Sequence, residues 1–224
     1  MDNFKSISRI TVLGLAVAFF GPPLIIYIAS QIAPDVYTNI FLVKKELLIF
    51  GITGLLILLI YRGEKLDLKS IGLHGRHWGK SILHGLVLSI VLLVVVILTA
   101  LALSIWDIPV GGSEVHKYKN ITLWTWTLIV LRAGVVEEIC YRGYIMERLE
   151  KWTGNWYIYF LMPAVFFSLL HYSQGIAGIA ISLVAGLILA YWYWKKRDLK
   201  ANIMAHFLVD LTPNVLLPLL GFAQ

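Results

Sequence analysis

The chain has 224 residues, 59% of them hydrophobic and only 14% charged, with a mean hydropathy of +0.79 and a formal net charge of +6. That composition excludes a soluble globular protein. The longest polar stretches, about 15 residues, are too short to fold as a separate domain, so one integral membrane domain over 1–224 is expected. The positive charge belongs to loops, so nucleic acid is not expected as a partner. Cys140 is the sole cysteine, which rules out an internal disulfide.

Seven apolar runs read as an all-α, polytopic membrane protein, with spans near 9–33, 39–61, 79–105, 121–149, 157–173, 175–194 and 201–221. The run from Ile10 to Ala33 is longer than the apolar core of a signal peptide and lacks a small-residue cleavage site, so it reads as a first span. Gly21-Pro22-Pro23 is expected to kink it, because proline removes a backbone donor. The second run opens on Lys44-Lys45-Glu46, whose turn is expected at the interface. The third, from Ser81 to Ser104, is the most uniformly apolar.

With the N-terminus in the cytoplasm, the inner loops hold 13 of the 19 lysines and arginines, among them Arg62, Lys69, Lys80, Lys151, Lys195, Lys196, Arg197 and Lys200. The outer loops hold four: Lys44, Lys45, Lys117 and Lys119. This bias predicts N-in, C-out topology. Tryptophans and tyrosines at the span ends, such as Trp124, Trp156, Tyr191 and Trp194, read as an aromatic belt. His74, His77, His84 and His116 read as ordinary interfacial groups.

The fourth run carries residues with no cheap place in hydrocarbon: Glu137, Glu138 and Arg142. Each charge costs about 2.5–3.5 kcal/mol at a bilayer centre, so such groups pair or face a watery cavity. Glu138 and Arg142 are four apart and share a helix face. Glu137 points about 100° away and is free to look elsewhere. The alternatives are an ion cluster that fixes packing, or a division in which Arg142 holds Glu138 while Glu137 faces a cavity as a general base. The last run places His206 and Asp210 on one face, and the fifth carries His171 after Phe167.

Together these groups predict a polar site built by the fourth, fifth and last spans. Glu137, His171, His206 and Asp210 form a hydrolytic set in one of two versions. Two histidines and a carboxylate could bind Zn²⁺ with an open position for water. Alternatively, without metal, Glu137 and His171 deprotonate water while His206 and Asp210 stabilise the oxyanion or protonate the leaving amine. Cys140 has apolar neighbours and no obvious activation as a nucleophile. One difficulty is depth. At about 1.5 Å per residue, His206 lies roughly 9 Å past Lys200, while His171 lies over 20 Å past Trp156. Pro163 is the residue able to shorten or bend the fifth helix.

At these residues the chain resembles the CPBP family, the CAAX proteases and bacteriocin-processing enzymes also called Abi. The family pattern is Glu-Glu-x-x-x-Arg, then Phe-x-x-x-His, then His-x-x-x-Asn/Asp. Glu137-Glu138 with Arg142, Phe167 with His171, and His206 with Asp210 match it in order within about 120–215. The resemblance implies an intramembrane endopeptidase acting on a membrane-associated protein or peptide, in CAAX-type or peptide-signal processing. It implies that Glu137 and His171 activate water, that His206 and Asp210 hold the oxyanion, and that Glu138, Arg142 and Phe167 support them. Members have been described both as metalloproteases and as metal-independent glutamate proteases. Asp210 stands where the CAAX branch tends to have asparagine; an ionised aspartate cannot donate to an oxyanion, and would instead orient His206 or ligate a metal. Small size without extensions predicts a prokaryotic cytoplasmic membrane. A proton-coupled transporter and a non-catalytic immunity or scaffold protein are the other readings of the same polar set.

Overall fold

The computed structural model describes residues 7–33, 38–75, 77–110 and 121–221, and all regular structure among them is helical. His116, Lys117 and Lys119 lie outside the described residues. α1 (Arg9–Ile32) starts on Ser8, whose hydroxyl accepts from the Thr11 N–H at 3.0 Å, and it keeps Pro22 and Pro23 inside. α2 (Asn39–Leu58), capped by Thr38, runs on into a π turn (Leu59–Gly63). α3 spans Trp78–Ile105. α4 (Leu123–Arg132) passes without a break into a π segment (Ala133–Met146), and α5 (Glu147–Thr153) follows. A π turn (Tyr157–Leu161) leads into α6 (Met162–Leu169), with Pro163 in its first turn. α7 (Gly175–Lys196), α8 (Leu199–Leu211) and the short α9 (Leu217–Leu219) complete the chain.

Three helical stretches are long and apolar enough to cross a membrane: Arg9–Ile32, Trp78–Ile105 and Tyr172–Lys196. The other expected spans are helical but shorter or interrupted, for reasons visible in their residues. α2 carries Lys44, Lys45 and Glu46 in its first turns. The fourth run changes helix type at Arg132, and Glu137, Glu138 and Arg142 all fall in the π segment. Large apolar side chains on α1 and α3, including Leu13, Phe20, Ile90, Val94 and Leu98, are exposed, as a lipid-facing surface requires. These helices make the chain an integral membrane protein.

The π segment is the centre of the packing. It touches α1, α2, α4, α6 and α8, and its residues from Val136 to Met146, Glu137 aside, are buried. α8 lies between it and α3. Glycines permit that approach. A Cβ on Gly134 would meet the Phe207 nitrogen at 3.0 Å and the Ile203 carbonyl at 3.1 Å. A Cβ on Gly85 of α3 would meet Met204 at 3.0 Å. His206 lies on the stretch of α8 held between these contacts.

At the end of the π segment that meets α5, Arg148 clamps the loop after α2. Its Nη2 donates to Glu64 Oε2 at 2.6 Å, its Nη1 donates to the Ser70 carbonyl at 2.9 Å, and the Tyr144 hydroxyl donates to Glu64 Oε1 at 2.9 Å. Burial alone would raise the Glu64 pKa; the hydrogen bond and charge of Arg148 more than offset it and hold Glu64 below its ordinary 4.5. A depressed carboxylate contributes stability that is complete above its unfolded pKa and is lost as pH falls through the folded one. Thermal unfolding of the detergent-solubilised protein is therefore expected to show a component that fades only below pH 4.5. Glu64→Gln should lack that component, and equal acid sensitivity of wild type and variant would contradict it.

Candidate active site

Two arginine–carboxylate clusters are built by the fourth run, and His206 joins them. In the first, Arg132 at the end of α4 donates through Nε to Glu46 Oε2 at 2.5 Å and through Nη1 to Glu137 Oε1 at 2.7 Å. The spacing from Arg132 to Glu137 is five. At 3.6 residues per turn they would diverge by about 140°, whereas the i→i+5 winding of a π-helix brings them onto one face. Glu46 comes from α2, is fully buried, and has Lys45 Nζ 3.1 Å from its other oxygen. The turn expected at the interface is therefore an internal anchor.

In the second cluster, Arg142 Nη1 donates to Glu138 Oε1 at 2.7 Å, and its Nη2 donates to the Gly186 carbonyl at 3.2 Å. The Asn202 amide donates to Glu138 Oε2 at 3.1 Å and to the Leu189 carbonyl at 2.9 Å. Glu138 is fully buried and Arg142 almost so. Each charge has a partner and further hydrogen bonds, the condition under which buried ions are tolerated. The Arg142 guanidinium also lies over the Phe167 ring, 4.6 Å from its centroid.

His206 Nδ1 is 2.9 Å from Glu138 Oε1. An ionised carboxylate only accepts, so Nδ1 carries the proton and donates. Nε2 is thereby turned toward Asp210 Oδ2 at 3.5 Å and Glu137 Oε2 at 3.9 Å. The expected His206–Asp210 pairing is present at this looser distance, while Glu138 makes the closer contact with the imidazole. Glu138 therefore does more than support its own helix: it orients His206. Glu137 keeps 17% of its side chain accessible and Asp210 35%, against none for Glu138, so the cluster opens on their side.

His171 follows the end of α6, and its Nδ1 donates to the Phe167 carbonyl at 2.9 Å, which leaves Nε2 with its lone pair. Among the described residues it makes no hydrogen bond with Glu137, His206 or Asp210. Phe167 links it to them: that ring lies 4.8 Å from His171 and 6.2 Å from His206. Both histidines thus pack on one side chain of α6. The π turn Tyr157–Leu161 and Pro163 precede α6, where they alter the rise that a straight α-helix would give. Cys140 is fully buried and free.

Among the described residues no three His, Cys, Asp or Glu side chains are grouped so as to hold a metal ion. His206 Nδ1 is taken by Glu138 and one Glu137 oxygen by Arg132. As placed here, Glu137, His171, His206 and Asp210 are not gathered closely enough to hold one Zn²⁺ ion together.

The sequence model of the Rce1-like family, type II CAAX prenyl endopeptidases, matches residues 119–212. This segment is therefore similar to the CAAX proteases. It contains the π segment, α6, α7 and α8, and with them every residue of the two clusters except Glu46 and its neighbour Lys45. Searches of curated proteins and of solved structures returned no match. Similarity to this family implies a hydrolase working on a membrane-associated substrate.

Three participants were not marked by the sequence reading: Arg132, Glu46 and Asn202. The available signal was each polar group's position inside an apolar run. Arg132 is expected to act through Glu137, and Glu46 through Arg132. Glu46→Gln keeps the shape and one acceptor but removes a buried charge, so it should cost part of the stability and slow peptide cleavage about tenfold, the scale seen when outer-shell partners are removed. An unchanged rate with unchanged pH dependence would show that Glu46 only packs.

Proposed function

We propose that the chain is a CAAX-type intramembrane endopeptidase in which Glu137 activates the hydrolytic water. The observation that carries the reading is the 3.9 Å gap between Glu137 Oε2 and His206 Nε2. It is too wide for a direct hydrogen bond and suits one water held by both groups. Glu137 takes a proton from that water as its oxygen attacks the scissile carbonyl carbon. His206, in its doubly protonated form, donates Nδ1–H to Glu138 and Nε2–H to the developing oxyanion. As the intermediate collapses the C–N bond breaks, and the proton held by Glu137 passes to the leaving amine. His171, whose Nε2 keeps its lone pair, helps to draw the proton off the attacking water through a second water that bridges to Glu137. Asp210 counterbalances the His206 imidazolium and helps to hold its ring, in keeping with a group that cannot itself donate to an oxyanion.

Around this site the chain makes seven spans with the N-terminus inside, in a prokaryotic cytoplasmic membrane, and the substrate enters from the basic cytoplasmic side. The substrate is a protein or peptide whose C-terminal segment reaches the bilayer. The test is direct. Purified protein in liposomes is given a prenylated CAAX peptide and its unprenylated twin, and the released fragments are weighed by mass spectrometry. Release of the C-terminal fragment from the prenylated peptide alone supports CAAX specificity. Cleavage of both supports a broader membrane peptidase. Failure to cleave either peptide, together with failure to cleave any membrane-inserted peptide in a library, would overturn the reading.

A further inference from the structure

Away from this site, a cavity of about 470 Å³ opens where the loop after α2, the start of α3 and the α7–α8 connection meet. Its wall includes Lys69, Lys80, Lys196, Lys200, His74 and His77. For Lys69, Lys80 and Lys196 the charge is only weakly compensated. The one carboxylate in the wall, Asp198, is turned toward other duties: Oδ2 accepts from the Ser81 hydroxyl at 2.6 Å and Oδ1 accepts from the Ala201 N–H at 3.4 Å, capping α8. Lys69 has Asp67 at 3.7 Å, a highly exposed pair of little strength. Among the described residues neither Lys80 nor Lys196 has an acidic partner.

The cavity is also prepared for an acceptor. α3 begins at Trp78 with no side-chain cap; His77 sits in the left-handed region at φ 63°, so the first-turn N–H groups of a 28-residue helix face outward uncapped. Lys200 is fixed in place, its Nζ donating to the His74 carbonyl at 2.8 Å and lying 4.5 Å over the Trp78 ring. Cations and open backbone donors together fit a phosphate group.

The source of that phosphate follows from what lies beside it. Along the face of α3 that carries Lys80, Leu83, Val87, Val91, Val94 and Leu98 are exposed apolar side chains, and Trp78 at its start is 63% exposed. A headgroup seated in the cavity would have its acyl chains running along that flank, with the tryptophan at the interface. We infer that this cavity binds the phosphate-bearing headgroup of an anionic membrane lipid on the cytoplasmic side. The inference is independent of the hydrolytic reading.

The protein, purified in neutral detergent, is mixed with equal amounts of dioleoyl phosphatidylglycerol and dioleoyl phosphatidylcholine, and retained lipid is read by native mass spectrometry. Retention of phosphatidylglycerol should be at least about tenfold higher. Each of Lys80→Gln and Lys196→Gln should weaken it about fivefold, the effect of one basic residue at a charged surface. The unfolding temperature should stay unchanged, and so should peptide cleavage. Equal retention of the two lipids, or variants that hold phosphatidylglycerol as wild type does, would overturn the proposal. If excess inorganic phosphate strips the lipid and alone raises the unfolding temperature of wild type but not of the variants, the ligand is free phosphate and the lipid assignment fails.

Discussion

Glu138→Ala is expected to destabilise the protein by about 3–5 kcal/mol, the cost of breaking a buried ion pair from one side. Glu138 is fully buried and accepts from Arg142, Asn202 and His206 at 2.7, 3.1 and 2.9 Å. Removing the carboxylate leaves the Arg142 guanidinium buried with only the Gly186 carbonyl and the Phe167 face. It also frees the His206 ring. Both consequences should appear together: a large fall in unfolding temperature in detergent, and loss of cleavage even in molecules that remain folded. Glu138→Gln keeps the shape and one acceptor, so it should recover part of the stability without restoring the rate. A drop of under 1 kcal/mol in Glu138→Ala would mean that the cluster is solvated and that the packing described here is wrong.

The second large effect is purely chemical. Glu137→Gln should reduce cleavage by about 10²–10⁴-fold, the range for a lost general base, with little change in stability. Arg132 keeps Glu46 as a partner in the variant, and the glutamine carbonyl can still accept from its other nitrogen. Glu137 is also partly accessible, so its removal strands no buried charge. Stability separates the two adjacent acids: loss of Glu138 should unfold, and loss of Glu137 should only inactivate.

The division of labour between these acids was partly legible from spacing. Two acids and an arginine in an apolar run announce a site, and the four-residue spacings Glu138–Arg142 and His206–Asp210 put partners on common faces, as the structure finds at 2.7 and 3.5 Å. The family resemblance drawn from those motifs is matched over residues 119–212. What could not be read was the helix type. A spacing of five carries no meaning at 3.6 residues per turn, so Arg132 and Glu137 looked unrelated until the π winding aligned them. Glu46 was invisible for a different reason. Beside Lys44 and Lys45 it reads as an interfacial turn, and only the packing of α2 against α4 reveals it as the buried anchor of Arg132. Phe167 had a place in a motif but no geometry; its role as the surface joining two imidazoles and a guanidinium depends on how α6 starts.

The measurement that bears most directly on the central claim is isotope incorporation. Wild type and Glu137→Gln are reconstituted in matched liposomes in H₂¹⁸O with one prenylated CAAX peptide, and the newly formed carboxylate is analysed by mass spectrometry. The account predicts one ¹⁸O atom in the wild-type product and no product above buffer from the variant, at equal unfolding temperatures. Product formed equally by both proteins, or intact peptide in both, would contradict it.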